Sequence, residues 1–253
     1  MCIVADSSNL SNTKIYSYQK SLKRHGFVYS NTAESFVDKN SMILPIPSDV
    51  KNVQMFDGTK MKEFLDFAAQ CCPKPVTRGI SKGLGRGIRI EKIGKYTVTY
   101  LSHSQLYSYL ETADFEISEE MAEFLLTKYK NWSFISCEWE GKESIESQPI
   151  WIEFDTFYPS SLYFPTMDGH KDVPEQGKVE RDHLIIASAL NSTGTFEHPS
   201  SFGFNNTFEC DRIDGNLANG DTWVKIQPSL TKSFTSKDSY TSFNKRPESV
   251  IYY

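Results

Sequence analysis

Cys2 follows the initiator Met directly, with the β-like pair Ile3-Val4 after it. If Met1 is removed, one residue carries a thiol and an α-amine. An amine titrating near ~8 can take the proton of a thiol near ~8.5, an arrangement used by self-activating hydrolases. The same position can instead open a first strand as a packed thiol. The packed thiol is the preferred reading, because nucleophilic use also needs Met1 removed, a reachable thiol and an oxyanion donor, and no such donor is legible beside Cys2.

A second cluster joins Asp168, His170, Glu180, Asp182 and His183, residue types that bind zinc and similar cations. Asp182 could orient the ring of His183. The separation of His170 from His183 matches no compact ligand motif, however, so a polar loop leading into a strand is expected and no metal is assigned. Of the other thiols, Cys71 and Cys72 are adjacent and so point about 100° apart on a helix. Cys137 belongs to the Ile135, Cys137, Trp139 face of a strand, and Cys210 has acidic neighbours that disfavour thiolate. The glycine-rich run from Ser81 to Gly87 resembles an anion cradle but leads into a strand, where phosphate loops need a helix N-terminus. No cofactor is expected.

A third set of candidates is aromatic. Phe234, Tyr240, Phe243, Tyr252 and Tyr253 punctuate a Ser/Thr/Lys-rich stretch from Gln227 onward that is too poor in apolar residues to fold alone. Such anchors suit a partner's groove or the edge of a sheet, and the equal alternative is a tail that folds back on its own domain.

The elements that would position these groups follow from periodicity. Thr13–Tyr18 and Gly26–Ser30 are β-branched or aromatic, and predict two strands joined through the basic turn Lys20–Arg24, a solvated edge. Met42–Pro47 is a strand that should lie at an edge or stop at Pro45, since proline has no amide for the ladder. Met61, Phe64, Leu65, Ala68 and Cys72 fall at helical spacing, and Pro73 must end that helix. Tyr96–Leu101 alternates regularly. Ser104 can cap a short helix bearing Leu106 and Leu110, and Ser118 opens another, with Glu119 and Glu120 in a first turn that favours negative charge. Trp132–Trp139, Ile150–Phe154, Leu162–Phe164 and His183–Ala189 are further strands, the last two separated by a polar loop from Asp168 to Arg181.

These landmarks come in an order that resembles a family of mostly bacterial, exported proteins defined by a domain of unknown function. An initial Cys, Leu44-Pro45-Ile46-Pro47, Gly94-Lys95-Tyr96-Thr97-Val98, Tyr129/Trp132/Phe134, Gln148-Pro149-Ile150 and Tyr158-Pro159 carry the likeness. Similar chains occur in protists and large viruses. The resemblance spans Cys2 to Thr166. The family's bacterial members have a signal peptide before the Cys and usually a Trp where Tyr109 stands here, so neither export nor that packing detail transfers. What it implies is a fold, with no mechanism attached.

The 253 residues suffice for one large core, and 39% hydrophobic with 23% charged residues is the composition of a globular protein. A net charge of −5 with no contiguous basic face argues against nucleic acid as a partner. No run of apolar residues is long enough to span a bilayer. Five cysteines, an odd number in a chain of this size, fit free thiols in a reducing compartment, which predicts an intracellular (cytoplasmic) protein or one packaged in a virus particle. The expectation is therefore an α+β fold, an antiparallel-rich sheet with about three helices over residues 1–226, followed by an irregular tail over 227–253. It works as a structural or protein-interaction component, through a protein partner or self-assembly. A thiol hydrolase using Cys2 is the runner-up.

Overall fold

The computed structural model describes residues 3–4, 8–35, 39–71, 89–115, 117–140, 145–146, 148–170, 178–188, 209–218, 220–226 and 250–252. Strands dominate: β1 (Ile3–Val4), β2 (Ser8–Gln19), β3 (Arg24–Ser35), β4 (Lys39–Ile46), β5 (Val53–Asp57), β6 (Arg89–Ile93), β7 (Tyr96–Ser102) and β8 (Ser133–Glu140). They continue with β9 (Ile145–Glu146), β10 (Ile150–Asp155), β11 (Ser161–Phe164), β12 (Gly169–His170), β13 (Lys178–Ser188), β14 (Glu209–Ala218), β15 (Thr222–Lys225) and β16 (Val250–Tyr252). Three α-helices, α1 (Lys62–Cys71), α2 (His103–Leu110) and α3 (Glu119–Lys128), complete the α+β fold among the described residues.

One sheet runs β12-β1-β4-β8-β7-β6 and a second β14-β13-β2-β3-β10-β5, with β9 beside β3; β11, β15 and β16 form a small third sheet. Nearly all pairings are antiparallel, the exceptions being β1 with β12 and β2 with β13. The two large sheets pack face to face. Alternation decides which side chains meet there. Ile15, Phe27, Tyr29, Ile150, Ile152 and Phe154 point inward from one sheet, and Met42, Leu44, Val98, Tyr100, Ile135 and Cys137 from the other, all buried. A fully buried side chain of this size contributes about 1.5–3 kcal/mol.

Helices close the outer faces. Met61, just before α1, and Phe64, Leu65 and Ala68 on it cover Tyr16, Tyr18, Val28, Leu184 and Ile186, the stripe the spacing predicts. Lys14 on β2 reaches Asp66 of that helix at 2.6 Å, and Lys62 adds a second bond at 2.8 Å. Across the molecule, α2 and α3 lay Leu106, Tyr109, Met121 and Leu125 on the outer side of β7 and β8.

The helix starts show how far local chemistry is legible. Ser118 caps α3 as expected, its Oγ accepting from the Met121 amide at 3.1 Å. The cap of α2 is Ser102, two residues before the expected Ser104: Gln105 Oε1 takes the Ser102 amide at 2.9 Å, the reciprocal half of a capping box. Of the two expectations at Pro45, the edge position is corrected, since β4 lies between β1 and β8, while the strand does end at Ile46, directly after the proline. Proline is tolerated because the described pairing with β1 covers only Met42 and Ile43, while Pro45 faces Phe134 on the other flank.

The region expected as one polar loop, Asp168 to Arg181, contains β12 and the first residues of β13. Of the expected tail, Val250–Tyr252 forms β16 against β15, with Tyr252 opposite Thr222. Phe234, Tyr240, Phe243 and Tyr253 lie outside the described residues, as does the glycine-rich run.

Candidate functional site: an apolar surface at the hairpin tip

The β2–β3 hairpin turns through Lys20-Ser21-Leu22-Lys23. Its amides at Lys20 and Ser21 donate to Arg24 O at 2.8 and 2.9 Å, and Ser21 Oγ accepts from the Arg24 amide at 3.0 Å. A tight polar turn gives its one apolar side chain nothing to pack on. Leu22 is accordingly 77% exposed.

Beside this turn runs the segment that leaves β10. The Thr156 amide donates to Lys23 O and the Phe157 amide to Pro47 O, both at 2.9 Å, and the Tyr158 amide to Thr156 Oγ1 at 3.0 Å. From the other side Gln19 Nε2 reaches Pro159 O at 3.5 Å. Phe157 and Tyr158 stand 45% and 44% exposed. Two segments distant in sequence thus present Leu22, Phe157 and Tyr158 together at one end of the sandwich.

The surface is rooted in the core. Tyr158 packs on Trp223, ring centroids 4.9 Å apart, and on Trp132 at 6.0 Å. Trp132 meets Tyr129 and Tyr163 at 5.1 and 5.4 Å. An exposed ring held in this way has little rotamer freedom left to lose on binding.

Beneath the hairpin neck, on the sheet face that carries α1, lies the buried carboxylate of Glu153. Tyr18 Oη donates to its Oε1 at 2.9 Å, Lys20 Nζ reaches both oxygens at 2.7 Å, and Arg24 Nε lies 3.5 Å from Oε2. Trp151 Nε1 donates to Tyr18 Oη at 2.6 Å. Burial first, and then the Glu153 charge, hold the Tyr18 phenol far above its usual range, so it stays a donor. Arg24 Nη1 also donates to Asn52 O at 2.8 Å and to Asp155 Oδ1 at 3.2 Å. Two residues of the turn expected as a solvated edge, Lys20 and Arg24, therefore tie the hairpin to β10.

On the inner face of the same neck stands His25. Both ring nitrogens are buried without a hydrogen-bond partner among the described residues, and burial lowers the ring's pKa to about 4.

Cys2 lies outside the described residues. His170 and His183 fall on strands of different sheets, β12 and β13, with His183 buried opposite Ile213. Among the described residues no group of three His, Cys, Asp or Glu side chains could hold a metal ion. Cys137 is a buried thiol on the inner face of β8. Sequence reasoning missed Leu22, Phe157 and Tyr158. Their one signal was a lone apolar residue inside a basic turn, and two successive aromatics before a proline after a strand. No helix among the described residues is long and apolar enough to cross a membrane.

No protein-family model matches the sequence, and no curated protein matches it. Among solved structures the chain is similar to baculovirus P35, at 15% identity and a TM-score of 0.46 over 88% of this chain and 91% of that one. A mutated baculovirus P35 after caspase cleavage gives 15% and 0.45, over 86% and 92%. The caspase-8/P35 complex gives 11% and 0.44, over 87% and 89%. At these identities and TM-scores the likeness transfers neither residues nor activity to this chain.

Proposed function

We propose that this protein acts by binding another protein, as an interaction or assembly component, and that Leu22, Phe157 and Tyr158 form the contact surface. One observation carries the reading: three exposed apolar side chains from two segments stand where backbone hydrogen bonds and the Glu153 network join the hairpin to β10, and one of them, Tyr158, packs on Trp132 and Trp223. Protein contacts draw most of their energy from a few large side chains that stay ordered in the free state. Scattered exposed apolar residues are ordinary, whereas a preorganised group of them fits an interface.

The test is affinity capture with wild-type protein, followed by reconstitution with the purified partner. Leu22→Asp and Phe157→Ala are expected to weaken that binary complex at least about tenfold, or about 1.4 kcal/mol, with thermal unfolding unchanged. Equal affinity of both variants would sink the assignment. Cys2→Ala is expected to leave binding intact. Rapid stoichiometric labelling of Cys2 by an electrophile at neutral pH, with the other thiols silent, would favour thiol chemistry instead.

A further inference from the structure

His25 sits where the hairpin neck, β10 and the segment bearing Phe157 and Tyr158 come together. In the ladders its neighbours are Gln19 on β2 and Phe154 on β10. It faces inward with Phe27, Phe154 and Ser17, and only 2% of it is exposed. β11 and the chain before it run over this part of the sheet, since Ser17 Oγ donates to Tyr163 O at 2.6 Å and Gln19 Nε2 reaches Pro159 O.

An imidazolium needs an acceptor at each nitrogen, and among the described residues this one has none. Gln19 and Phe154 are not titratable. The titratable groups on the covering segments are the phenols of Tyr158 and Tyr163. Arg24, Glu153 and Asp155 belong to the opposite sheet face by alternation, and Lys20, Lys23, Asp49 and Lys51 belong to the exposed turns around the neck. Burial is what lowers the pKa of the His25 ring.

We infer that His25 makes the surface acid-sensitive: charging its ring requires the Thr156–Ser160 segment to lift from the sheet, carrying Phe157 and Tyr158 with it. The role for binding rests on the function proposed above, whereas the movement itself does not. The sign follows from the neutral form being the one the closed structure holds. Closure is fully favoured above the ordinary histidine pKa of 6.5 and is lost as pH falls toward about 4. With those two limits, the equilibrium between open and closed forms shifts roughly 50- to 100-fold toward open between pH 7 and pH 4.5.

Amide hydrogen exchange at the two pH values, corrected for intrinsic rates, reads this without any partner. The expected result is a gain of that order confined to residues 20–24 and 156–160, absent in His25→Gln and His25→Leu. Either variant alone suffices if the other does not fold. Exchange that is independent of pH at these segments, unchanged in the variants, or raised evenly over both sheets would overturn the inference. Acid opening with no partner contact at Phe157 would leave the device standing and remove the docking role.

Discussion

Gly26→Ala is expected to destabilise the protein by about 2–4 kcal/mol, lowering the melting temperature by about 5–15 °C. Gly26 pairs with Tyr18 across the β2–β3 ladder. A Cβ there would lie 2.5 Å from Tyr18 Cζ and Oη and 2.9 Å from Ile152 O. The ring must move, because the backbone oxygen cannot. Moving it pulls the phenol away from Glu153 and Trp151, which leaves a buried carboxylate one donor short. Tyr18→Phe keeps the ring over the glycine and removes only the hydroxyl, so its expected loss is smaller, about 1.5–3 kcal/mol. Urea unfolding with an unchanged m-value checks the order of the two. A Gly26→Ala protein as stable as wild type would show that the ring swings free without penalty.

Tyr109→Phe is the second large effect, expected at about 1.5–3 kcal/mol. Glu138 is fully buried on β8, and Tyr109 Oη donates to its Oε1 at 2.5 Å while lying 2.9 Å from Ser136 Oγ. Thr99 Oγ1 adds a longer contact at 3.4 Å. Burial, followed by the carboxylate, raises the Tyr109 phenol above its usual range, which keeps the proton on the donor. The bond fastens α2 to the sheet. In a double-mutant cycle with Glu138→Gln, the coupling should account for most of the single loss. Additive costs would mean that the two groups act independently.

The same carboxylates show what a sequence conceals. Alternation marked Tyr96–Leu101 as the strand that is β7 and put Ile135, Cys137 and Trp139 on one face of β8, because a half-buried strand shows its period directly. It could not reveal that Glu138 and Glu153 point into protein, since a charged residue at a period-two position looks like solvent exposure until a helix covers that face. β5 and β14 were missed for a related reason: Val53-Gln54-Met55-Phe56-Asp57 and Glu209–Ala218 mix polar and apolar residues without a long run, and their pairing partners are remote in sequence. Helix α3 was legible because Ser118, Glu119 and Glu120 are local signals.

The contact surface was hidden more deeply. Leu22 lies within a turn whose other residues are basic, and Phe157 and Tyr158 follow a strand far along the chain. The β3–β10 ladder, which ends at Arg24 and Asp155, and the Lys23–Thr156 backbone bond make them neighbours. Nothing in the spacing of the residues encodes that bond. Of the residues that composition offered as anchors, Phe234, Tyr240, Phe243 and Tyr253 lie outside the described part of the chain, and Tyr252 falls on β16.

Trp132 and Trp223, with ring centroids 6.0 Å apart and Tyr158 and Tyr163 against them, are close enough for their electronic transitions to couple. Such a pair gives near-ultraviolet circular dichroism a signature that depends on the mutual orientation of the indoles. Small displacements at the lip of the sandwich should therefore register optically, without an attached dye.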